Sequence, residues 1–116
     1  MSTYMIQGSY TPIAWGSMLR APENRAEAVS TIVERLGGRL LQSWLCFGEH
    51  DIVAIVEVPN THSAAALFMA IAAGGVVVNI RTTELIDDDQ GLLAMQRASQ
   101  VQLRPPAGSL LYQPAE

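Results

Sequence analysis

The stretch Cys46-Phe47-Gly48-Glu49-His50-Asp51-Ile52-Val53-Ala54-Ile55-Val56-Glu57-Val58-Pro59 admits few folds. Its first part is a turn, in which Gly48 tolerates a positive backbone angle and Asp51 accepts from local amides. Its second part is a nearly unbroken run of Val, Ile and Ala closed by proline, the pattern of a strand covered on both faces. Such a strand belongs in the middle of a sheet, with apolar material above and below it.

The length of 116 residues suits one domain with a real core. Hydrophobic residues make up 49% of the chain and charged residues 16%, which is a globular composition. The net charge of −4 and the lack of a basic stripe argue against a nucleic-acid partner. Cys46 is the single cysteine, so no intrachain disulfide forms, and one thiol with two distant histidines is a poor metal set. No segment reads as a secretory signal or a membrane span, so a cytoplasmic location and no membrane partner are expected.

Thr3 to Tyr10 alternates and predicts the first strand, ended by Thr11-Pro12. Ile13 to Ala21 is expected to be a loop. Pro22-Glu23 is expected to open a helix whose buried stripe is Val29, Ile32, Val33 and Leu36, with Gly37-Gly38 as its stop. Arg39 to Phe47 is the second strand and forms a hairpin with the third. Asn60 or Thr61 caps a helix from about His62 to Ala73, and Gly74-Gly75 closes it. Val76 to Ile86 is the fourth strand. Asp87-Asp88-Asp89 starts a shorter helix reaching about Ser99. Residues 1–98 are therefore expected to form the domain, and 99–116, with Pro105-Pro106 and Gly108, a tail.

The order β-α-β-β-α-β is the ferredoxin-like arrangement, an α+β fold with a four-stranded antiparallel sheet and helices on one face. Right-handed crossovers put the first and third strands in the centre. Strand parity then assigns two faces. Tyr4, Ile6, Gly8, Leu41, Leu45, Ile52, Ala54, Val56, Val78 and Ile80 are expected under the helices, with Gly8 and Ala54 letting a helix approach closely. Met5, Gln7, Ser9, Gln42, Trp44, Val53, Ile55, Glu57, Val77, Asn79, Arg81 and Leu85 fall on the opposite face. That second face is too apolar for water, and a twin subunit packing sheet to sheet would bury on the order of 1,600 Å². A homodimer or higher homo-oligomer is the expected partner state.

The segments Thr3 to Thr11, Pro22 to Gly38 with Arg25, Gly48-Glu49-His50-Asp51-Ile52-Val53-Ala54, Val56-Glu57-Val58-Pro59 and Val78-Asn79-Ile80-Arg81-Thr82 together resemble the GYD domain family. The likeness spans Thr3 to Ile86. That family is similar to the dimeric α/β barrel superfamily, which implies the same sheet-to-sheet dimer. The family's name carries a Gly-Tyr-Asp signature. His50 stands in the place of its tyrosine, so a role for that phenol does not carry over. The superfamily holds cofactor-independent monooxygenases, haem-dependent enzymes, isomerases and ligand-sensing domains, and the fold does not choose among them.

Three residues are candidates for chemistry. Glu57 as base and Arg81 as holder of an anionic or enolic group would share the opposite face, or would form a structural ion pair across the sheet or dimer. His50 is either an acid, base or ligand contact at the mouth of a cavity, or a solvated turn residue. Gln7, Trp44, Ile55 and Asn79 are the candidate ligand-binding residues between the two sheets. Trp15, Trp44, Tyr4 and Tyr10 suit stacking on an aromatic molecule or a place in core and interface. Asp51 reads as a turn former. Neither histidine is set on the inner face, so no haem, and no other cofactor or metal, is expected. The leading functional expectation is a homodimer that binds a small organic ligand. The alternatives are a cofactor-independent monooxygenase or isomerase on an aromatic or enolisable substrate, and a non-catalytic assembly or regulatory module using its tail.

Overall fold

Strands form where the side chains alternate most cleanly. In the computed structural model, which describes residues 1–110, β1 (Ser2–Tyr10) buries Tyr4, Ile6, Gly8 and Tyr10 and leaves Met5, Gln7 and Ser9 half-covered. β3 (Ile52–Val58) buries Ala54, Val56 and Val58 and half-covers Val53, Ile55 and Glu57. With β2 (Arg39–Leu45) and β4 (Val77–Leu85) they make one antiparallel sheet in the order β2-β3-β1-β4. The two cleanly alternating strands take the centre, as the crossover rule requires.

Three helices cover one face. α2 (Ala26–Arg35) buries Val33, and α3 (Thr61–Ala73) buries Ala64 and Leu67. These side chains join Tyr4, Ile6, Val56 and Val58 in the main core, with Val29, Ile32, Leu36, Leu40, Ile71 and Ile80 packed around it. Asn60 caps α3 by accepting from the Ser63 amide. Gly37 ends α2 at φ +80, where only a residue without Cβ sits without strain.

The segment expected as a loop is helix α1 (Pro12–Arg20). Pro12 was read only as the end of a strand. It also sits in the first turn of a helix that Thr11 caps, its hydroxyl accepting from the Ala14 amide at 3.1 Å. α1 places Ala14 against Tyr10 and Val77 in a second, smaller core. Pro22-Glu23, expected to open α2, lie instead in the link between helices. The Asn24 carboxamide accepts from the Ala26 amide where α2 begins. The frame is thus βαββαβ with one helix inserted after β1.

Two bulges overturn part of the parity assignment. On β2, Leu40 pairs with Val56 and Gln42 with Ile55, so Leu41 is the extra residue. Leu40, not Leu41, faces the core, and Leu41 is exposed. On β4 the register shifts between the partners of Gln7 and Ser9, where Asn79 takes φ 53. The shift turns Val77 inward beside Tyr10 and Val78 outward beside Ser9, the reverse of the expected order. Gly8 serves this bulge and not a helix, since a Cβ there would lie 2.5 Å from Val77 Cγ1. β2 also ends at Leu45, short of the expected Phe47.

The chain divides into two units, Met1–Leu85 and the part from Ile86 onward. The second contains α4 (Asp88–Ala98), capped by Asp87 through the Gln90 amide at 2.8 Å, with Asp88 and Asp89 at the positive end of its dipole. Of the expected tail 99–116, residues 111–116 lie outside the described residues. No helix among the described residues is long and apolar enough to cross a membrane.

Leu67 is 1% exposed, so Leu67→Ala is expected to cost about 3 kcal/mol in denaturant unfolding. The bulge makes a sharper test: Leu40→Ala should cost more than Leu41→Ala, and the opposite ranking would return Leu41 to the core face.

Candidate functional site

Asp51 closes the hairpin turn and then does more than turn. Its amide donates to the Gly8 carbonyl at 2.8 Å, and its carbonyl accepts from the Cys46 amide at 2.7 Å. Its carboxylate Oδ2 accepts from the Tyr10 amide at 2.9 Å and from Trp15 Nε1 at 3.3 Å. One side chain therefore joins the end of β1, the start of α1 and the β2–β3 turn. Reading it as a turn former missed the two long-range donors, because neither is visible from local sequence. Its neighbour His50 is half-buried and contributes its carbonyl, which accepts from Cys46 Sγ at 3.0 Å. His50 and Asp51 form no dyad, since the carboxylate is committed to Tyr10 and Trp15.

Asp51 holds Trp15 edge-on to Tyr10, ring centroids 5.2 Å apart and planes at 77°. These two rings wall a cleft of about 260 Å³ on the helix side of the sheet. Met18 and Leu19 of α1, the link Pro22 to Arg25, Val29 of α2, and Ser43, Trp44, Ile52 and Ala54 of the sheet complete it. A deeper hollow of about 120 Å³ shares Tyr10, Arg25, Val29, Ile52 and Ala54 and extends towards Ile71 and Val76. Small side chains line this space, Ala54 in both hollows and Ala28 in the second.

The polar groups of this cleft converge on Tyr10 and Arg25. Burial pushes the Tyr10 phenol up from its ordinary 10.0, against the pull of the Arg25 guanidinium and its hydrogen bond; the carboxylates of Asp51 and Glu23 add smaller upward pushes. The phenol is therefore a neutral donor at physiological pH. Arg25 is half-buried and ion-paired with Glu23 at 3.0 Å, on the wetter side. Neither Arg25 nor Asp51 stood out in the sequence as a site residue. A loop arginine next to a helix start, and an acid next to a buried strand, were the available signals.

Of the seven residues expected to form the site, Trp44 lines this cleft and the other six lie elsewhere. Gln7, Ile55, Glu57 and Arg81 share the face opposite the helices, with Trp44 and Gln42 on β2. Gln7 and Arg81 are direct cross-strand neighbours. Glu57 is opposite Thr3, four residues along β1 from Gln7, and β1 separates it from β4. The gap between Glu57 and Arg81 is on the order of 15 Å, from strand spacings of ~4.8 Å and a rise of ~3.4 Å per residue. Within one chain Glu57 pairs with Arg39, its partner directly across β2, at 2.8 Å. His50 sits at the other end of β3 from Glu57. Asn79 occupies the bulge, where φ 53 takes it out of the regular alternation. One chain thus brings Gln7 and Arg81 together and leaves Glu57 and His50 apart. Among the described residues no cluster of His, Cys, Asp and Glu is arranged to hold a metal.

A family model for the GYD domain matches residues 4–93. The chain belongs to the GYD domain family. The match runs from β1 into α4 and takes in the Asp51 junction, the cleft and the opposite sheet face. No curated protein matches the chain. The chemistry of this GYD domain has to be read from its own side chains.

Asp51→Ala strands the Tyr10 amide and the Trp15 indole and is expected to cost about 2–3 kcal/mol, with a red-shifted tryptophan emission. Asp51→Asn keeps an acceptor and should cost less than half of that. A second expectation concerns alkali. A phenol raised above 10.0 on folding contributes stability that is whole below 10.0 and is lost as pH rises through the folded value. Tyr10→Phe should therefore flatten the fall in unfolding free energy measured above that pH.

Proposed function

We propose that this GYD domain is a homodimer that binds a small organic ligand, its two copies meeting through the sheet faces opposite the helices. One observation carries the dimer. Met5, Val53 and Ile55 form an apolar cluster on that face, extended across β2 by Trp44, which is 51% exposed, with Val78 and Leu85 at the two ends of β4. Four strands at ~4.8 Å spacing and seven to nine residues at ~3.4 Å present roughly 500 Å² in projection. Side-chain relief raises the accessible area towards the ~800 Å² per partner of a stable interface. Gln7 and Arg81 form a polar island inside this surface. Between two sheets they would meet each other's copies, or a ligand lodged there with Ile55, Trp44 and Asn79.

The ligand reading is supported by the partly open cleft on the helix side, which has mostly apolar walls and a few polar groups, the usual composition of a small-molecule site. In this reading the opposite face makes the dimer and the helix side does the binding. Turnover by Glu57, Arg81 and His50 would need groups from both copies to assemble, because one chain keeps Glu57 and His50 at opposite ends of β3.

Native mass spectrometry of the protein purified from its own host tests both halves. The expected spectrum shows twice the 12.5 kDa chain mass and a retained small molecule. Ile55→Arg places an uncompensated charge at the centre of the contact and should yield folded monomer. A wild-type monomer at micromolar concentration would end the dimer reading, and a bare protein that binds none of a broad metabolite panel would end the ligand reading.

A further inference from the structure

The helix-side cleft also carries information about what it takes. Its volume of about 260 Å³ is at the small end for ligand sites, enough for one or two rings. Its lining is aromatic at Trp15 and Tyr10, whose planes stand at 77°, and aliphatic at Met18, Val29 and Ile52. Only two of its lining residues are charged. Glu23 is mostly in water, with a side chain 56% exposed, whereas the Arg25 side chain is 35% exposed and lines both hollows together with Tyr10. Arg25 gives Nη1 to Glu23 and a further donor to the Tyr10 phenol, and a guanidinium with five N–H groups has others to give a ligand. An exposed ion pair is weak enough for an incoming anion to displace.

We propose that this cleft binds a small planar aromatic acid, its anionic oxygen held by Arg25 and the Tyr10 hydroxyl and its ring lying against Trp15 and Tyr10. The inference rests on the reading that the domain binds a small ligand and does not depend on dimerisation. A neutral ring would fill the same walls but leave Arg25 with Glu23. A non-aromatic acid would satisfy Arg25 but leave the apolar walls wet. Guanidinium and a neutral phenol are both donors, so the pair favours an acceptor-only group such as carboxylate or enolate over a hydroxyl or amine. Asp51 acts here as a positioning residue, since it touches Trp15 and the Tyr10 backbone but not the cleft's polar centre.

The test uses the full chain with 2-naphthoate and its neutral analogue 2-naphthamide, by titration calorimetry and by the shift of the Trp15 indole N–H resonance. The naphthoate is expected to bind saturably, at least tenfold tighter than the amide, and to move the Trp15 signal. Arg25→Gln should weaken the naphthoate at least tenfold and leave the amide within twofold. Arg25→Lys should recover part of the loss, and Arg97→Gln, at an exposed position of α4, should change neither. If Arg81→Gln removes binding and Arg25→Gln does not, the ligand lies on the opposite sheet face, and this inference fails while the ligand reading stands. Loss of the charge preference without any effect of Arg25→Gln would also overturn it. So would a retained host ligand combined with no saturable naphthoate binding at millimolar concentration.

Discussion

The carboxylate of Asp51 is the contact on which the rest of the helix side depends. Two donors from separate elements, the Tyr10 amide and the Trp15 indole, converge on one oxygen. Both belong to a region where α1 has replaced the direct connection from β1 to α2. Without an acceptor there, the last amide of β1 would be an unpaired buried donor, which costs more than a single hydrogen bond contributes. The same backbone position also closes the hairpin through Cys46 and ties it to Gly8. A single residue at the head of the most apolar strand thus sets where the inserted helix stands.

The sheet has two bulges, and they have opposite consequences. At Leu41 the extra residue lets Leu40 reach the main core while the outer part of β2, Gln42 to Leu45, stays exposed at the sheet edge. At Asn79 the shift feeds Val77 into the space left by Gly8, closing the small core under α1. Bulges of this kind let edge strands follow the twist of the central pair. They also explain why Leu41 and Val78 leave the alternation that β1 and β3 keep throughout.

Charge is distributed in step with this division. On the opposite face Glu57 meets Arg39 across one strand, a pair that is partly solvated and contributes little to stability. On the helix side the only cation of the cleft, Arg25, stands beside a buried phenol. Both cations carry a carboxylate partner, but Arg25 does so at the mouth of an apolar recess and Arg39 at the sheet edge. The two faces therefore suit different tasks, one a contact surface and the other a recess.

Much of the architecture was legible from the order of residues. The alternation of Thr3 to Tyr10 specifies one central strand by its period of two, and the short β-branched run from Ile52 to Val58, bounded by a turn and Pro59, specifies the other by its length and composition. Asn60, Asp87 and the glycines after α2 and α3 mark helix ends by local hydrogen bonding and backbone freedom alone. What local pattern could not carry was anything set by a partner distant in the chain. Pro12 ends a strand and begins a helix with equal ease, and the Trp15–Asp51 contact accompanies the helical outcome. The side chains of Val77 and Val78 exchange faces because Gly8, on another strand, makes room for one of them. Arg25 becomes a site residue only once Tyr10 is folded beside it. Sequence determined the strands, the caps and the family. Tertiary contact decided which residues share a recess, because a bulge or a salt bridge takes its energy from neighbours that sequence distance does not reveal.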